Sequence, residues 1–226
     1  MQQMQLIYFS DPMCSWCYGF SATLERLADS HYADRISIEL VPGGLRPDET
    51  RPTPQTLASE IQHHWRMVQK ASGQPFHFGF FEGHPGFVYN TTPASRAVVA
   101  AGLQAGQLEA PDHKTALAFQ HALQRAFYAQ GADPTSEDTF LKIAEEVGLN
   151  SEEFESRLKD PATDEKTRDG FARAFDLGIM GYPTLLARDE ERLVLITRGF
   201  VAFDELEQRL AQLAQHLESS SGVREK

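Results

Sequence analysis

Two cysteines, three positions apart near the N-terminus, are the residues of this chain that most readily suggest a chemistry. Cys14 and Cys17 are the only cysteines among 226 residues. If a helix begins near Cys14, its free N–H groups and the positive end of its dipole favour the thiolate, which is the nucleophile. Cys17 lies one turn later on the same face and could attack a mixed disulfide on Cys14. The spacing predicts a redox-active pair in which Cys14 is the more exposed and more acidic thiol.

Other uses of the two cysteines fit the sequence less well. An inert reduced pair and a static disulfide remain open as alternatives. A zinc site is disfavoured because structural zinc takes four ligands, commonly from a second Cys or His pair at short spacing. The eight histidines offer only the adjacent His63 and His64 and scattered single residues. We therefore predict no metal.

The segments around the cysteines have the lengths and periods of a strand and a helix. Residues 6–9 (LIYF) form an apolar run of strand length, and the following Asp11-Pro12 is turn chemistry. Pro12 fixes its own φ angle and keeps Asp11 out of the helical region. Ser15 and Trp16 occupy the loop between the cysteines, and helical apolar spacing follows. Strand, turn, Cys-x-x-Cys and helix together favour a redox function.

The remaining elements complete a sheet interrupted by helices. Residues 35–41 alternate with strand period before Pro-Gly-Gly, so a β-α-β unit with a right-handed crossover is expected. Residues from about 55 to 178 have helical patterns and no convincing strand. Four strands are predicted near 5–9, 36–41, 184–188 and 193–198, with a last helix over 204–217. The phenylalanines of the irregular segment 74–90 could line a groove beside Cys14, but we favour buried anchors because aromatic rings usually serve cores.

The active-site sequence resembles a known family. Cys14-Ser-Trp-Cys-Tyr18 looks like the active site of the DsbA-type branch of the thioredoxin-like superfamily, and within it is similar to cytoplasmic disulfide isomerases and FrnE-like oxidoreductases. The resemblance implies an α/β, thioredoxin-like fold carrying a large inserted helical domain. The thioredoxin-like part would comprise residues 1–50 and 179–218, and the insertion residues 51–178. Residues 219–226 are expected to form a disordered tail.

Two further motifs carry the resemblance into the rest of the chain. The run from Gly178 to Thr184 resembles the cis-proline loop of the superfamily, which implies a cis Tyr182–Pro183 bond lying against Cys14. Tyr182 would then offer backbone groups to a substrate. The run that begins at Asn90 is similar to a helix start in DsbA-like and hydroxychromene-carboxylate isomerase families. The resemblance makes Tyr182, Pro12 and Asn90 candidates for substrate binding, beside the active-site loop of Ser15, Trp16 and Pro183.

The function implied is a thiol–disulfide oxidoreductase or disulfide isomerase that exchanges Cys14 and Cys17 with protein or small-molecule thiols and disulfides. No cofactor is implied, and glutathione is a candidate redox partner. Because Ser15-Trp16 lacks the histidine of DsbA, we expect a less depressed Cys14 pKa and a more reducing couple. A glutathione-dependent isomerase or transferase of the hydroxychromene-carboxylate isomerase or kappa class is the alternative, although those enzymes need no Cys17. A redox-sensing adaptor is a third possibility.

The composition and charge of the chain disfavour some classes of partner. With 21 Lys and Arg against 32 Asp and Glu, the formal net charge is −11, which disfavours nucleic-acid binding. No run has the length of a membrane span, and the N-terminus lacks the basic region of a signal peptide. We therefore expect a cytoplasmic protein with no membrane partner, as a monomer or a homodimer.

Overall fold

The computed structural model describes residues 4–190 and 192–223, with side chains described as far as residue 215. The strands are β1 (Met4–Ser10), β2 (Ile36–Pro42), β3 (Thr184–Asp189) and β4 (Arg192–Arg198). The first five helices are α1 (Ser15–Ala28), α2 (Gln55–Ser72), α3 (Phe80–Gly83), α4 (Thr92–Ala105) and α5 (His113–Tyr128). The remaining helices are α6 (Glu137–Glu146), α7 (Ser151–Lys159), α8 (Pro161–Asp176) and α9 (Phe203–Val223).

The four strands form one mixed sheet in the order β2-β1-β3-β4. β1 is parallel to β2 across the α1 crossover and antiparallel to β3, which pairs with β4 as a hairpin. Between Leu6 and Ser10 every β1 residue is buried, as expected for a strand with helices on both faces. The thioredoxin-like α/β fold is confirmed, and the strands lie where the sequence predicts them.

Alternation along β1 divides its side chains between two apolar cores. Leu6 and Tyr8 join the main core, which includes apolar residues of α1 and α9. Ile7 and Phe9 point to the opposite face and join a smaller core with Ala174 of α8. α8 comes close to β2 because residue 170 is glycine: a Cβ there would lie 2.4 Å from Cγ of Pro42. Thus α8, although inside the predicted insertion 51–178, covers a face of the sheet.

An aromatic cluster centred on Trp65 of α2 joins α2 to α3 and α5. The Trp65 ring lies 5.6 Å from the rings of both Phe76 and Phe127, and is fully buried. Phe76, Phe80 and Phe87 of the phenylalanine-rich segment are buried in the same core. The prediction that these residues are core anchors is confirmed.

The last helix is longer than predicted. α9 continues to Val223 and so overlaps the tail expected at 219–226, whose disorder stays a prediction. The chain from Leu217 to Ser221 contains neither proline nor glycine, so nothing interrupts the helical hydrogen bonds. Residues 224–226 lie outside the described part of the chain. No helix within the described ranges is long and apolar enough to cross a membrane.

Candidate active site

A tight turn joins β1 to α1 and presents the first cysteine. The Cys14 N–H donates to the Asp11 carbonyl at 3.0 Å, with Pro12 at the second position of the turn. The Asp11 side chain accepts a hydrogen bond from the Met13 N–H at 2.8 Å. Cys14 is the N-cap of α1, and its carbonyl accepts the first helical hydrogen bond, from Tyr18. The predicted strand, turn and helix start are therefore all present.

Both cysteines are reduced and lie side by side. The Cys14 and Cys17 side chains are 3.5 Å apart, whereas a disulfide requires about 2.05 Å. Cys17 is completely buried, and Cys14 keeps 6% of its surface exposed. Cys14 is thus the more exposed residue of a buried pair, as the sequence predicts.

The loop before β3 lies against the dithiol. Its Tyr182–Pro183 peptide bond is cis, and the Tyr182 carbonyl accepts a hydrogen bond from the Cys14 thiol at 3.4 Å. Thr184 fixes the loop, since its hydroxyl donates to the Gly181 carbonyl at 2.8 Å. Residues separated by 168 positions in the chain therefore meet at one end of the sheet.

The Tyr182 ring extends from this loop to the end of β2. Its hydroxyl donates a hydrogen bond to the carbonyl of Gly43. A Cβ at position 43 would lie 2.2 Å from the ring, so only glycine allows this contact. Burial raises the pKa of Tyr182 to about 12, and the hydroxyl remains a neutral donor at physiological pH. Gly43 was not identified as a site residue from sequence.

A buried carboxyl group lies behind the turn. Asp11 is fully buried, and its second oxygen accepts a hydrogen bond from the Leu45 N–H at 2.7 Å. Burial raises the pKa of Asp11 to about 6, even though the two backbone donors, Leu45 and Met13, favour the ionised form. The sequence indicated only a turn residue here, because Asp-Pro is itself a common turn signal.

The pKa of Cys14 is shifted in the direction opposite to the predicted one. Its pKa is raised by its hydrogen bond to the Cys17 side chain, and then by burial and by the charges of Cys17 and Asp11. The Cys17 backbone N–H, at the start of the helix, acts in the opposite direction but is outweighed. The expected depression of the Cys14 pKa is therefore wrong for the reduced pair, because the hydrogen bond to Cys17 and burial outweigh the helix N–H.

Tyrosines and amides pack behind the cysteines, where the sequence suggested only core positions. Tyr89 donates a hydrogen bond to the Met13 carbonyl at 2.5 Å, and Gln120 donates to the Ser10 hydroxyl at 2.9 Å. Tyr8 is fully buried; burial and the nearby Cys17 charge raise its pKa. A tyrosine in an apolar run carries no sequence signal that separates a core role from one beside the dithiol.

The other predicted site residues are placed less directly. Ser15 and Trp16 are partly exposed, and the Trp16 ring lies 6.0 Å from that of Phe200. Asn90 uses its side-chain oxygen to accept hydrogen bonds from the Asp48 and Thr92 N–H groups. That oxygen joins the loop after β2 to the start of α4, and a substrate-binding role for Asn90 and Pro12 stays a prediction.

The site contains no other group of metal ligands. Within the described residues, no three or more His, Cys, Asp or Glu side chains are placed to hold a metal ion.

Comparison with known proteins places this fold and site in a family. The model of the DSBA-like thioredoxin domain matches residues 5–211, and the chain belongs to that family. Among solved structures, it is similar to a candidate protein disulfide isomerase from Nitrosomonas europaea, with 31% identity, a TM-score of 0.84, and coverage of 95% of this chain and 99% of the other.

Two more relatives have lower identity. The cytosolic disulfide reductase DsbM from Pseudomonas aeruginosa is 25% identical, with a TM-score of 0.73 and coverage of 93% and 98%; it has also been solved with glutathione. The ClpXP adapter protein SpxH from Bacillus subtilis is 20% identical over 182 residues, which make up 80% of this chain. The chain matches only 57% of the length of that curated relative.

Proposed function

We infer that this protein is a thiol–disulfide oxidoreductase that exchanges its Cys14–Cys17 dithiol with disulfides of proteins or small molecules, and that it works in the cytoplasm mainly as a reductant. The observation that carries the proposal is the pair of free thiols beside the Tyr182 carbonyl, in which Cys14 keeps 6% of its surface exposed and Cys17 none. Membership of the DSBA-like family and the similarity to DsbM, named as cytosolic, support it.

The reaction takes two exchange steps. Cys14 loses its proton, attacks one sulfur of the substrate disulfide, and releases the other sulfur as a thiolate that takes up a proton. Cys17, 3.5 Å away, then loses its proton and attacks the Cys14 sulfur, which releases the second substrate thiol. The protein ends as the Cys14–Cys17 disulfide, and two electrons have reduced the substrate. Two glutathione molecules would return it to the dithiol as they form glutathione disulfide.

The electrostatics at Cys14 support the proposed reducing direction. A strongly oxidising pair stabilises its reduced form as a thiolate of low pKa. Here hydrogen bonding to Cys17, burial and negative charge raise the pKa of Cys14, so that stabilisation is missing. Isomerase activity would use the same attack, with the substrate's own thiol resolving the mixed disulfide instead of Cys17.

Trapping the intermediate tests the proposal. Cys17→Ser leaves the exposed nucleophile and removes the resolving thiol, so this variant should accumulate mixed disulfides that reducing agents release. Cys14→Ser, as the matched control, should accumulate none. A reduction potential well below that of DsbA, measured against glutathione, is expected for the wild type. Equal trapping by both variants would contradict the assigned order of attack.

A glutathione-dependent isomerase or transferase would behave differently. Such an enzyme needs no resolving thiol, so its turnover would survive Cys17→Ser. Loss of disulfide reduction in that variant, without any glutathione conjugation or isomerisation by the wild type, would exclude the alternative. A redox-sensing adaptor would catalyse neither disulfide reduction nor glutathione conjugation or isomerisation.

A further inference from the structure

A line of buried polar side chains leads from helix α5 toward the resolving cysteine. Gln120 of α5 and Ser10, the last residue of β1, are both buried, and the Gln120 side-chain N–H donates to the Ser10 hydroxyl oxygen at 2.9 Å. Tyr8 lies two residues before Ser10 and is also fully buried, so the two side chains point to the same face of β1. The two exchange steps of the proposed reaction use none of the three.

The Tyr8 side chain packs against the face of α1 that carries Cys17. Its ring lies 5.8 Å from that of Phe20, which follows Cys17 by three residues and so shares a helix face with it. All three residues are completely buried. The Tyr8 hydroxyl is close enough to interact with the side chains of both Cys17 and Ser10. It is therefore a direct neighbour of the sulfur that resolves the mixed disulfide.

The donors along this line are directed toward Cys17. Burial raises the pKa of Tyr8 well above its ordinary value, as do the charges of Cys17 and Cys14, so its hydroxyl stays a neutral donor. Ser10 acts on the Tyr8 pKa in the opposite direction, as a group that donates to the tyrosine oxygen does. Because the Ser10 oxygen already accepts from Gln120, the Ser10 proton is directed to Tyr8, which leaves the proton of Tyr8 for the Cys17 sulfur.

In the dithiol form the contacts of the Tyr8 hydroxyl fall short of full hydrogen bonds. Its oxygen is buried and has no hydrogen-bond partner within the part of the chain that the structure describes. Buried hydroxyls normally have a partner, and a neutral thiol sulfur is only a weak acceptor. A thiolate accepts more strongly, because hydrogen bonds to an ionised group are roughly twice as strong as neutral ones. The hydroxyl therefore gains its partner when Cys17 ionises, and an interaction made only then lowers the barrier to attack.

We propose that Tyr8 is a catalytic residue of the second exchange step, whose hydroxyl donates a hydrogen bond to the Cys17 sulfur as that sulfur loses its proton and attacks Cys14. Ser10 and Gln120 are positioning residues that hold the Tyr8 oxygen from behind. The proposal rests on the proposed function and deepens it at the same site. In this step the bond between Cys17 and Cys14 forms and the bond from Cys14 to the substrate sulfur breaks. The Cys17 proton ends on the released substrate thiol, and Tyr8 keeps its own.

A disulfide whose released thiolate is coloured separates the two exchange steps. With dithiobis(nitrobenzoate) in excess, attack by Cys14 releases one coloured thiolate, and resolution by Cys17 releases a second at a rate independent of the reagent concentration. Tyr8→Phe keeps the ring and should slow the second release about tenfold or more, the range for a hydrogen bond to a charged group, while the first release keeps its rate. The pH at which the second release reaches half its full rate should rise by about one unit. An unchanged second release, or equal slowing of both, would overturn the proposal.

Further variants separate this role from a structural one. Tyr32→Phe is the matched control, since Tyr32 belongs to the same apolar core but its hydroxyl is influenced by Glu207 and Arg35 rather than by the cysteines; both releases should match the wild type. Ser10→Ala removes the donor behind Tyr8 and should slow the second release, although less than Tyr8→Phe does. Urea unfolding of the reduced Tyr8→Phe protein should show no loss of stability, because the hydroxyl is unpaired in that form. A clear loss would assign the hydroxyl a structural role and refute the proposal.

Failure of the proposed function would be visible separately. A wild type that releases only one coloured thiolate per protein lacks the resolving step, and the proposed oxidoreductase reaction then fails. The contact with Tyr8 is in that case decided by NMR of the Cys17 Cβ in the Cys14→Ser variant, where the chemical shift follows ionisation of the thiol. Adding Tyr8→Phe should move the midpoint of this titration to higher pH by about one unit. A midpoint that does not move would refute the hydrogen bond from Tyr8.

Discussion

Replacing Asp11 by asparagine should change how the stability of the protein depends on pH. The pKa of this buried carboxyl is raised from 3.8 to about 6, chiefly by burial. Between these two values the folded state holds a proton that the unfolded state has lost, so stability falls as pH rises and levels off above pH 6. A shift of about 2 units corresponds to roughly 3 kcal/mol, of which roughly 2 lie between pH 4.5 and 7.5.

Asp11→Asn removes this ionisation but keeps the shape of the side chain. One of the two backbone donors, Met13 or Leu45, will face the amide nitrogen and lose its acceptor, which costs about 1–3 kcal/mol at every pH. The constant part of the stability difference between wild type and variant is therefore uninformative. The test is how that difference changes with pH. The stability of the wild type minus that of the variant should decrease by about 2 kcal/mol from pH 4.5 to 7.5.

Urea unfolding at a series of pH values measures this difference. Asp48→Asn is the control of opposite sign, because hydrogen bonds from Arg168 lower the pKa of Asp48. The Asp48 carboxylate contributes stability that is lost only as pH falls below its ordinary value of 3.8, so its difference curve should stay nearly flat from pH 4.5 to 7.5 and fall at lower pH. A flat curve for Asp11→Asn would refute the reasoning, since it would show that Asp11 titrates alike in both states.

The same variant should change the chemistry of the thiol. The Asp11 charge raises the pKa of Cys14, although less than Cys17 and burial do. Asp11→Asn should therefore speed the alkylation of Cys14 by iodoacetamide at pH 7, read residue by residue by mass spectrometry. Unchanged or slower alkylation would show that Asp11 does not act on the thiol at this pH.

Three other substitutions, the last with a control variant, have defined outcomes. Gly43→Ala should displace the Tyr182 ring, lower the free energy of unfolding by about 1–3 kcal/mol and slow disulfide exchange. Urea unfolding measures the first effect, and turnover with a small disulfide measures the second. Unchanged turnover would contradict a role for the contact between Gly43 and Tyr182. Trp65→Ala should lower the free energy of unfolding by about 3–5 kcal/mol in the same assay. A loss below about 1 kcal/mol would show that the core around Trp65 is loosely packed. Met180, 83% exposed beside the cis-proline loop, can contact a protein substrate. Met180→Ser should slow reduction of a protein disulfide but not of 2-hydroxyethyl disulfide, whereas the remote, 53% exposed Leu195→Ser should slow neither.

The features predicted correctly from sequence depend on neighbours in the chain. Strand alternation, the Cys-x-x-Cys pair and the position of Pro183 are visible within a few residues of one another. The order of the elements then brings the two loops to the same end of the sheet. Even the anchoring role of Phe80 follows from a general preference, because large aromatic side chains are usually buried.

The features that were missed depend on contacts between distant segments. Asp11 is buried because the loop after β2 covers it and supplies the Leu45 N–H, 34 residues away in the chain. Gly43 matters only because the ring of Tyr182, 139 residues later, packs over it. An Asp-Pro turn and a Pro-Gly-Gly strand end have the same local sequences whether or not another segment closes over them.

The wrong prediction that the helix start lowers the Cys14 pKa has the same origin, and the raised pKa strengthens the expectation of a reducing couple. The helix start favours the thiolate through the Cys17 N–H, as the sequence suggested, but the acidic neighbours and burial come from the assembled site. Since Asp11 is charged above about pH 6, it opposes the Cys14 thiolate throughout the neutral range. Reduced protein therefore gains little from ionising its thiol. A pair built in this way gives up electrons more readily than one that stabilises its thiolate, which is why we assign it to reduction.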